Sequence, residues 1–150
     1  MNKIVKNLIT GKEIAKPVPI DEEVKFDGGV MITETDPMGI ITYANRKFRE
    51  MTGYTKEELI GSPHHINRHP DMPRAAFRQM WETIKSKKYW EGYVQNLCSD
   101  GRYYRVLVWI KPKVDEEGNV IGYIAGRKMP DPDLLSRAFR QYEEMKAAES

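Results

Sequence analysis

The sequence predicts an α+β fold: one antiparallel sheet whose strands open and close the chain, with the helices gathered between them. Three observations predict it. Two β-prone runs, Val30–Thr35 and Ile40–Tyr43, flank the turn signal Asp36-Pro37-Met38-Gly39. A block of short helical patterns follows, each stopped by glycine or proline. Three longer β-prone runs come last, separated by Ser99-Asp100-Gly101 and by Glu116-Glu117-Gly118-Asn119, turns whose glycines can take positive φ.

Each element has a local reason. The first two strands are close enough to form a hairpin, with strands expected at 30–35 and 40–43. Residues 45–52 place Phe48 and Met51 on one side of a helix that Gly53 ends. Thr55-Lys56-Glu57-Glu58 is a capping box starting a helix over 55–60, and Gly61 stops it. Over 74–87, Phe77, Met80, Trp81 and Ile84 fall at i, i+3, i+4, i+7 and make one apolar stripe. Strands follow at 92–98, 103–112 and 120–127. A last helix, 133–147, carries Leu135, Ala138, Phe139, Tyr142 and Met145 on one face, with Asp131 or Asp133 at its start. Ahead of the domain, Ile4, Val5, Leu8 and Ile9 share a face at helical spacing before Gly11. The segment reads either as a short amphipathic helix or as a frayed tail. The chain thus divides into an N-terminal extension (1–25), a compact domain (26–130) and a C-terminal helix (131–150).

Composition bounds the function. At 150 residues the chain fits one domain able to enclose a small ligand. The 24 basic and 22 acidic residues nearly cancel, which provides no strong field for nucleic acid. No apolar run approaches a bilayer span, and the one cysteine, Cys98, forms no internal disulfide, so a reduced cytoplasmic setting is expected. Neither a nucleophile elbow nor a phosphate loop is present, and the acidic pairs sit in polar contexts, so the expectation is a non-enzyme.

The three histidines are the unusual feature: His64, His65 and His69 all fall between Pro63 and Pro70. His65 and His69 at i, i+4 make a weak metal pair, or one of them a haem ligand. The structural alternative has Asp71 capping the next helix while Arg68 and His69 bond neighbouring backbone. Cys98 reads as a small buried strand residue.

Gly39-Ile40-Ile41-Thr42-Tyr43-Ala44-Asn45, Phe48, Gly53-Tyr54 and Glu58-Leu59-Ile60-Gly61 resemble the first half of a PAS domain. Asn67 through Pro73, then Ala76-Phe77, Met80-Trp81, Trp90-Glu91-Gly92, Val94, Asn96, Asp100-Gly101 and Tyr104, are similar to the sensor domains of bacterial aerotaxis receptors and their energy-taxis relatives. The resemblance covers about residues 28–128. It implies a PAS fold, a five-stranded antiparallel sheet with short helices on one face, enclosing a pocket for FAD. By matching motif it implies Asn45, Arg68, His69, Asp71, Phe77, Trp81, Trp90 and Asn96 as cofactor-binding residues, and it implies signalling to a chemotaxis-type receptor. Residue chemistry is compatible. Phe77, Trp81 and Trp90 suit the faces of a flat ring, Asn96 both donates and accepts at its edge, and Arg68 and His69 suit phosphates.

There are departures. Tyr104-Arg105-Val106 stands where the aerotaxis pattern has Tyr-Trp-Val, and Trp109 replaces an asparagine. Cys98 lies on a strand rather than in the helical motif of light-sensing relatives, which argues against photo-adduct chemistry, and covalent haem attachment lacks its C-x-x-C-H. Three functions remain open: a flavin redox sensor, a haem b or small-ligand sensor, and a ligand-free dimerisation module. A homodimer is expected. On strand 103–111, Tyr104, Val106, Val108 and Ile110 are assigned to the core face. Leu107 and Trp109, on the other, need cover from the N-terminal segment or a second subunit, which would leave the C-terminal helix free to reach a receptor.

Overall fold

The computed structural model describes residues 3–149. Its centre is a five-stranded antiparallel sheet of β3 (Met31–Thr35), β4 (Ile41–Ala44), β5 (Trp90–Leu97), β6 (Tyr103–Val114) and β7 (Val120–Lys128), in the order β4-β3-β7-β6-β5. The two hairpins and the final β6–β7 pair arise at the turns the sequence marks. Between β4 at one edge and β5 at the other, the chain must cross the whole sheet. It does so as α1 (Arg46–Thr52), α2 (Lys56–Leu59), a 3₁₀ turn (His64–Asn67) and α3 (Arg74–Lys85). This crossing lays the helices over one face and creates the space between them and the sheet. α4 (Pro132–Glu149) closes the chain.

The alternation on β6 sets the core. Tyr104, Val106, Val108 and Ile110 are buried, while Tyr103, Arg105, Leu107 and Trp109 are half-buried on the opposite face. Gly126 faces Trp109 across the β6–β7 pairing, and a Cβ there would run into the indole. The glycine is therefore the recess in which Trp109 lies flat on the outer face, and this is why that tryptophan is only half-exposed. Asn45 caps α1 through Phe48 N–H and also ties β3 to it, accepting from Ile32 N–H and donating to Val30 O. The capping box of Thr55 and Glu58 forms as the sequence predicts.

The N-terminal segment is neither a helix nor a frayed tail. It is a two-stranded hairpin of β1 (Ile4–Lys6) and β2 (Glu13–Ala15), with Gly11 at φ 75° inside its turn. The helical periodicity misleads because Asn7 turns the chain. Its side chain is fully buried, accepts from Ile9 and Thr10 N–H, and donates to Ile60 O at 2.8 Å. One amide thus closes the hairpin turn and docks it on the end of α2. A side chain at Gly61, whose φ is 98°, would strike Asn7. The hairpin packs beside α2 rather than over Leu107 and Trp109. Beyond it, Val24 N–H donates to Tyr103 O and Tyr103 N–H to Glu22 O, beside the first residues of β6 that β7 leaves unpaired.

α4 also departs from expectation, because it folds back onto the domain. Tyr142 donates its hydroxyl to Tyr93 O at 2.7 Å, and the Arg105 guanidinium stacks on Phe139. Glu149 accepts from the backbone N–H groups of Arg74 and Ala75. Asp71 therefore does not cap α3. Its carboxylate pairs with Lys146 at 2.8 Å, and Glu149 occupies the capping role from a distant point in sequence.

Candidate ligand cavity

A cavity of about 490 Å³ lies between the inner face of the sheet and the crossing helices. Ligand sites typically occupy about 300–1,000 Å³. The sheet supplies Trp90, Val94, Val108, Ile110, Tyr123 and Ala125. α3 supplies Phe77, Met80, Trp81 and Ile84, the same stripe that defined the helix in the sequence. Trp81 meets Tyr123 edge to face at 5.8 Å between ring centres. A Cβ at Gly92 would enter the Trp90 ring, so that glycine lets the indole fold down over β5.

Part of its lining is polar and buried. Arg127, the last inward residue of β7 before the strand ends, is 6% exposed. It donates to Thr33 Oγ1 at 2.9 Å and to Ala125 O at 3.2 Å, meets His64 Nε2 at 3.3 Å, and lies over the Phe48 ring. A guanidinium only donates, so His64 Nε2 is the acceptor and its proton sits on Nδ1. Thr33 accepts from Arg127 and donates to His64 at 3.0 Å. Burial and the adjacent guanidinium push His64 down to about 4. Next along, Asn67 meets His64 and donates to the Tyr104 hydroxyl at 3.1 Å, and Asn96 lies against the same hydroxyl. Burial raises Tyr104 to about 12, so it stays a neutral phenol. Thr33, His64, Asn67, Asn96 and Arg127 therefore give the cavity lining a polar stretch able to hydrogen-bond.

Three further arginines line the cavity. Arg68 stacks its guanidinium 4.0 Å from the Phe77 ring centre, and the exposed Arg74 and Arg78 stand on α3 beside it. Backbone pairing of Arg68 with Asn96 fixes the 3₁₀ turn to β5, and Lys16 donates to His65 O and Arg68 O from β2's end.

Of the residues singled out in the sequence, Arg68, Phe77, Trp81, Trp90 and Asn96 line the cavity. Three do not. Asn45 is held in the cap of α1. Asp71 is exposed and engaged by Lys146. His69 is buried on the far side of β5, where its Nδ1 accepts from Asp71 N–H and its ring meets Tyr103. Arg68 and His69 are adjacent in sequence but extended backbone at Arg68 sends their side chains opposite ways. The paired metal spacing of His65 and His69 dissolves for the same reason, and among the described residues no three metal-ligating side chains converge. Sequence reading passed over Arg127. The available signal was period two: Tyr123, Ala125 and Arg127 share the inward face of an otherwise apolar strand.

Residues 28–126 match the PAS fold family, and the chain belongs to it. It is a PAS sensor domain, of the kind found in signalling proteins. Over 121 residues it is 37% identical to the aerotaxis receptor of Escherichia coli K12, covering 81% of this chain and 24% of that receptor. It is 32% identical to the nitrogen fixation regulatory protein of Klebsiella pneumoniae, over 64% of this chain and 19% of that protein. The fold is shared with the blue-light photoreceptor Aureochrome1 LOV in its light state, with TM-score 0.67 and 21% identity over 74% of this chain and 89% of the other. The chain thus spans about a quarter of the first relative's length and less of the second's. Among the described residues no helix is long and apolar enough to cross a membrane.

Proposed function

We propose that this domain is a cytoplasmic flavin redox sensor that binds FAD, signals to a chemotaxis-type partner and catalyses no reaction itself. The observation that carries the reading is the mixed lining of the cavity. Its aromatic and aliphatic walls suit the faces of a flat ring, and its buried hydrogen-bonding groups suit the ring's polar edge. Arg68, Arg74 and Arg78 in its lining suit the phosphates of a dinucleotide. The similarity to the aerotaxis receptor supports the same reading. When bound, a flavin supplies a reversible electron acceptor. The chain's own residues hold it, exclude water and answer its change of charge.

Asn96 is the residue assigned to the ring's edge, because an amide can rotate to exchange donor for acceptor. It stands on β5, whose backbone at Tyr93 receives the hydroxyl of Tyr142 from α4. A change at the cavity thereby has a short path to the C-terminal helix. Purified protein should be yellow, and the released chromophore should be FAD. Protein that stays colourless with excess FAD would refute the proposal. A haem reading has less support: of its two candidate ligands, His65 lines the cavity but His69 lies outside it, and the neighbouring His64 Nε2 is engaged by Thr33 and Arg127.

A further inference from the structure

A second cavity, of about 380 Å³, lies on the other face of the sheet, between β5, β6, α4 and residues 19–21. It shares no lining residue with the inner cavity, because alternation along β5 turns Val94 and Asn96 to one side and Gln95 to the other. Buried donors on it lack acceptors among the described residues. His69 is 4% exposed, and its Nδ1 accepts from Asp71 N–H. Burial, aided by Lys146, Arg105 and Lys16 and opposed by Asp71, holds His69 below its ordinary 6.5, so the ring is neutral at pH 7 and its proton sits on Nε2, which meets no acceptor. Gln95, 6% exposed, accepts from Arg105 Nε at 2.8 Å through its Oε1, and its NH2 group is left over. Arg105 is held by that bond and by the Phe139 ring, which fixes its Nη groups with no acceptor opposite them. Buried donors in this state are costly. Two exposed carboxylates, Asp21 and Glu143, also line the cavity, and neither side chain has a hydrogen bond or ion pair among the described residues. Asp71, by contrast, is engaged by Lys146.

We propose that this outer cavity is a second binding site, for a free aromatic α-amino acid. His69 Nε2, the Gln95 amide and the Arg105 guanidinium donate to its carboxylate, as charge-assisted bonds. Asp21 and Glu143 meet its ammonium, and Tyr103, Phe139 and Tyr142 supply aromatic surface for its ring. Both charges are needed. A simple anion would face the two free carboxylates, and a simple cation would leave the buried donors unpaired. The site goes beyond the flavin reading and does not rest on it, since the two cavities have no residue in common. α4 forms one wall, so the amino acid binds the docked helix and stabilises it by mass action.

Calorimetric titration of the full chain with L-phenylalanine tests the site. Binding should be saturable. The analogues 3-phenylpropanoate, without the ammonium, and phenethylamine, without the carboxylate, should each bind at least about tenfold more weakly. Gln95→Met removes the amide and keeps the length of the side chain, and it should weaken binding about tenfold by the loss of one hydrogen bond to a charged group. Asp21→Asn combined with Glu143→Gln should weaken it about threefold, as expected for exposed ion pairs. Both positions are exposed, so this double variant decides if Gln95→Met does not fold. Bound L-phenylalanine should also raise hydrogen-exchange protection over residues 132–149. The site is overturned by no saturable binding at about 10 mM, a concentration above the millimolar range of weak sites. It is equally overturned by an analogue that binds as tightly as the amino acid, or by protection of α4 that stays the same with ligand bound. Binding left unchanged by a folded Gln95→Met or by the double variant lies elsewhere, and overturns it too.

Discussion

Asn96 and Asn7 show how differently one residue type can serve. Asn7 is enclosed by backbone: it satisfies the hairpin's Ile9 and Thr10 N–H groups and the carbonyl of Ile60 at once. Removing it strands buried groups on two elements, and each such group costs about 1–3 kcal/mol. Asn7→Ala should therefore lower the urea midpoint of unfolding and expose the hairpin to protease, without altering the cavity walls. Asn96 instead presents its amide to the cavity, beside Tyr104. Asn96→Ala should leave the fold intact and weaken flavin binding by about 1–3 kcal/mol, roughly five- to 150-fold, read by equilibrium dialysis. A variant that binds FAD as tightly as wild type would remove Asn96 from the site. Cys98 is inert by comparison: its thiol donates to Met51 O, and burial pushes it up to about 11.

At the scale of elements, α4 is held by polar contacts at its far end and by a half-buried apolar face along its length. Glu149 accepts from Arg74 and Ala75 N–H, and Lys146 pairs with Asp71. Backbone donation at Ala75 and Arg74 holds the Glu149 carboxyl below its ordinary 4.5, and the Lys146 hydrogen bond holds Asp71 below its ordinary 3.8. The docked helix therefore binds fewer protons than the free one. Its docking is fully supported above about pH 4.5 and weakens as pH falls through the lowered values. The protection of residues 132–149 against hydrogen exchange, relative to the free-chain rate at each pH, should fall below pH 4 and change little between pH 6 and 8. Glu149→Gln should lower it at neutral pH, together with that of the first turn of α3, because α3 would lose its cap. Both contacts are exposed, so the effect belongs to local opening and not to global stability.

In the whole molecule, the outer face of the sheet is covered only in part. α4 covers its β5 side through Phe139 on Arg105 and Tyr142 on Tyr93, while the N-terminal hairpin lies elsewhere. Leu107 and Trp109 stay half-exposed. We expect a second copy of the chain to complete their burial, since the apolar area they still expose is worth about 25 cal/mol for each Å² removed from water. Sedimentation should show a dimer at high concentration and a folded monomer for Trp109→Glu. A wild-type monomer under the same conditions would sink the expectation.

The sequence by itself determined the elements and the sheet. Hairpin turns at Gly39, Gly101 and Gly118, the capping box at Thr55 and the alternation along β6 are all local in origin, so period and turn chemistry reveal them without knowledge of the fold. The α3 stripe likewise announced the cavity wall. Tertiary structure decided whatever depends on contacts between residues far apart in the chain. The segment 4–15 became a hairpin because Asn7 finds carbonyls some 50 positions away. α3 took its cap from Glu149, 75 positions from Arg74, and so Asp71 was free to pair with Lys146. Arg127 met Thr33 across 94 positions, and a buried cation became part of the candidate site. Periodicity records which face a side chain takes. Which partner waits on that face is fixed only when the strands are brought together.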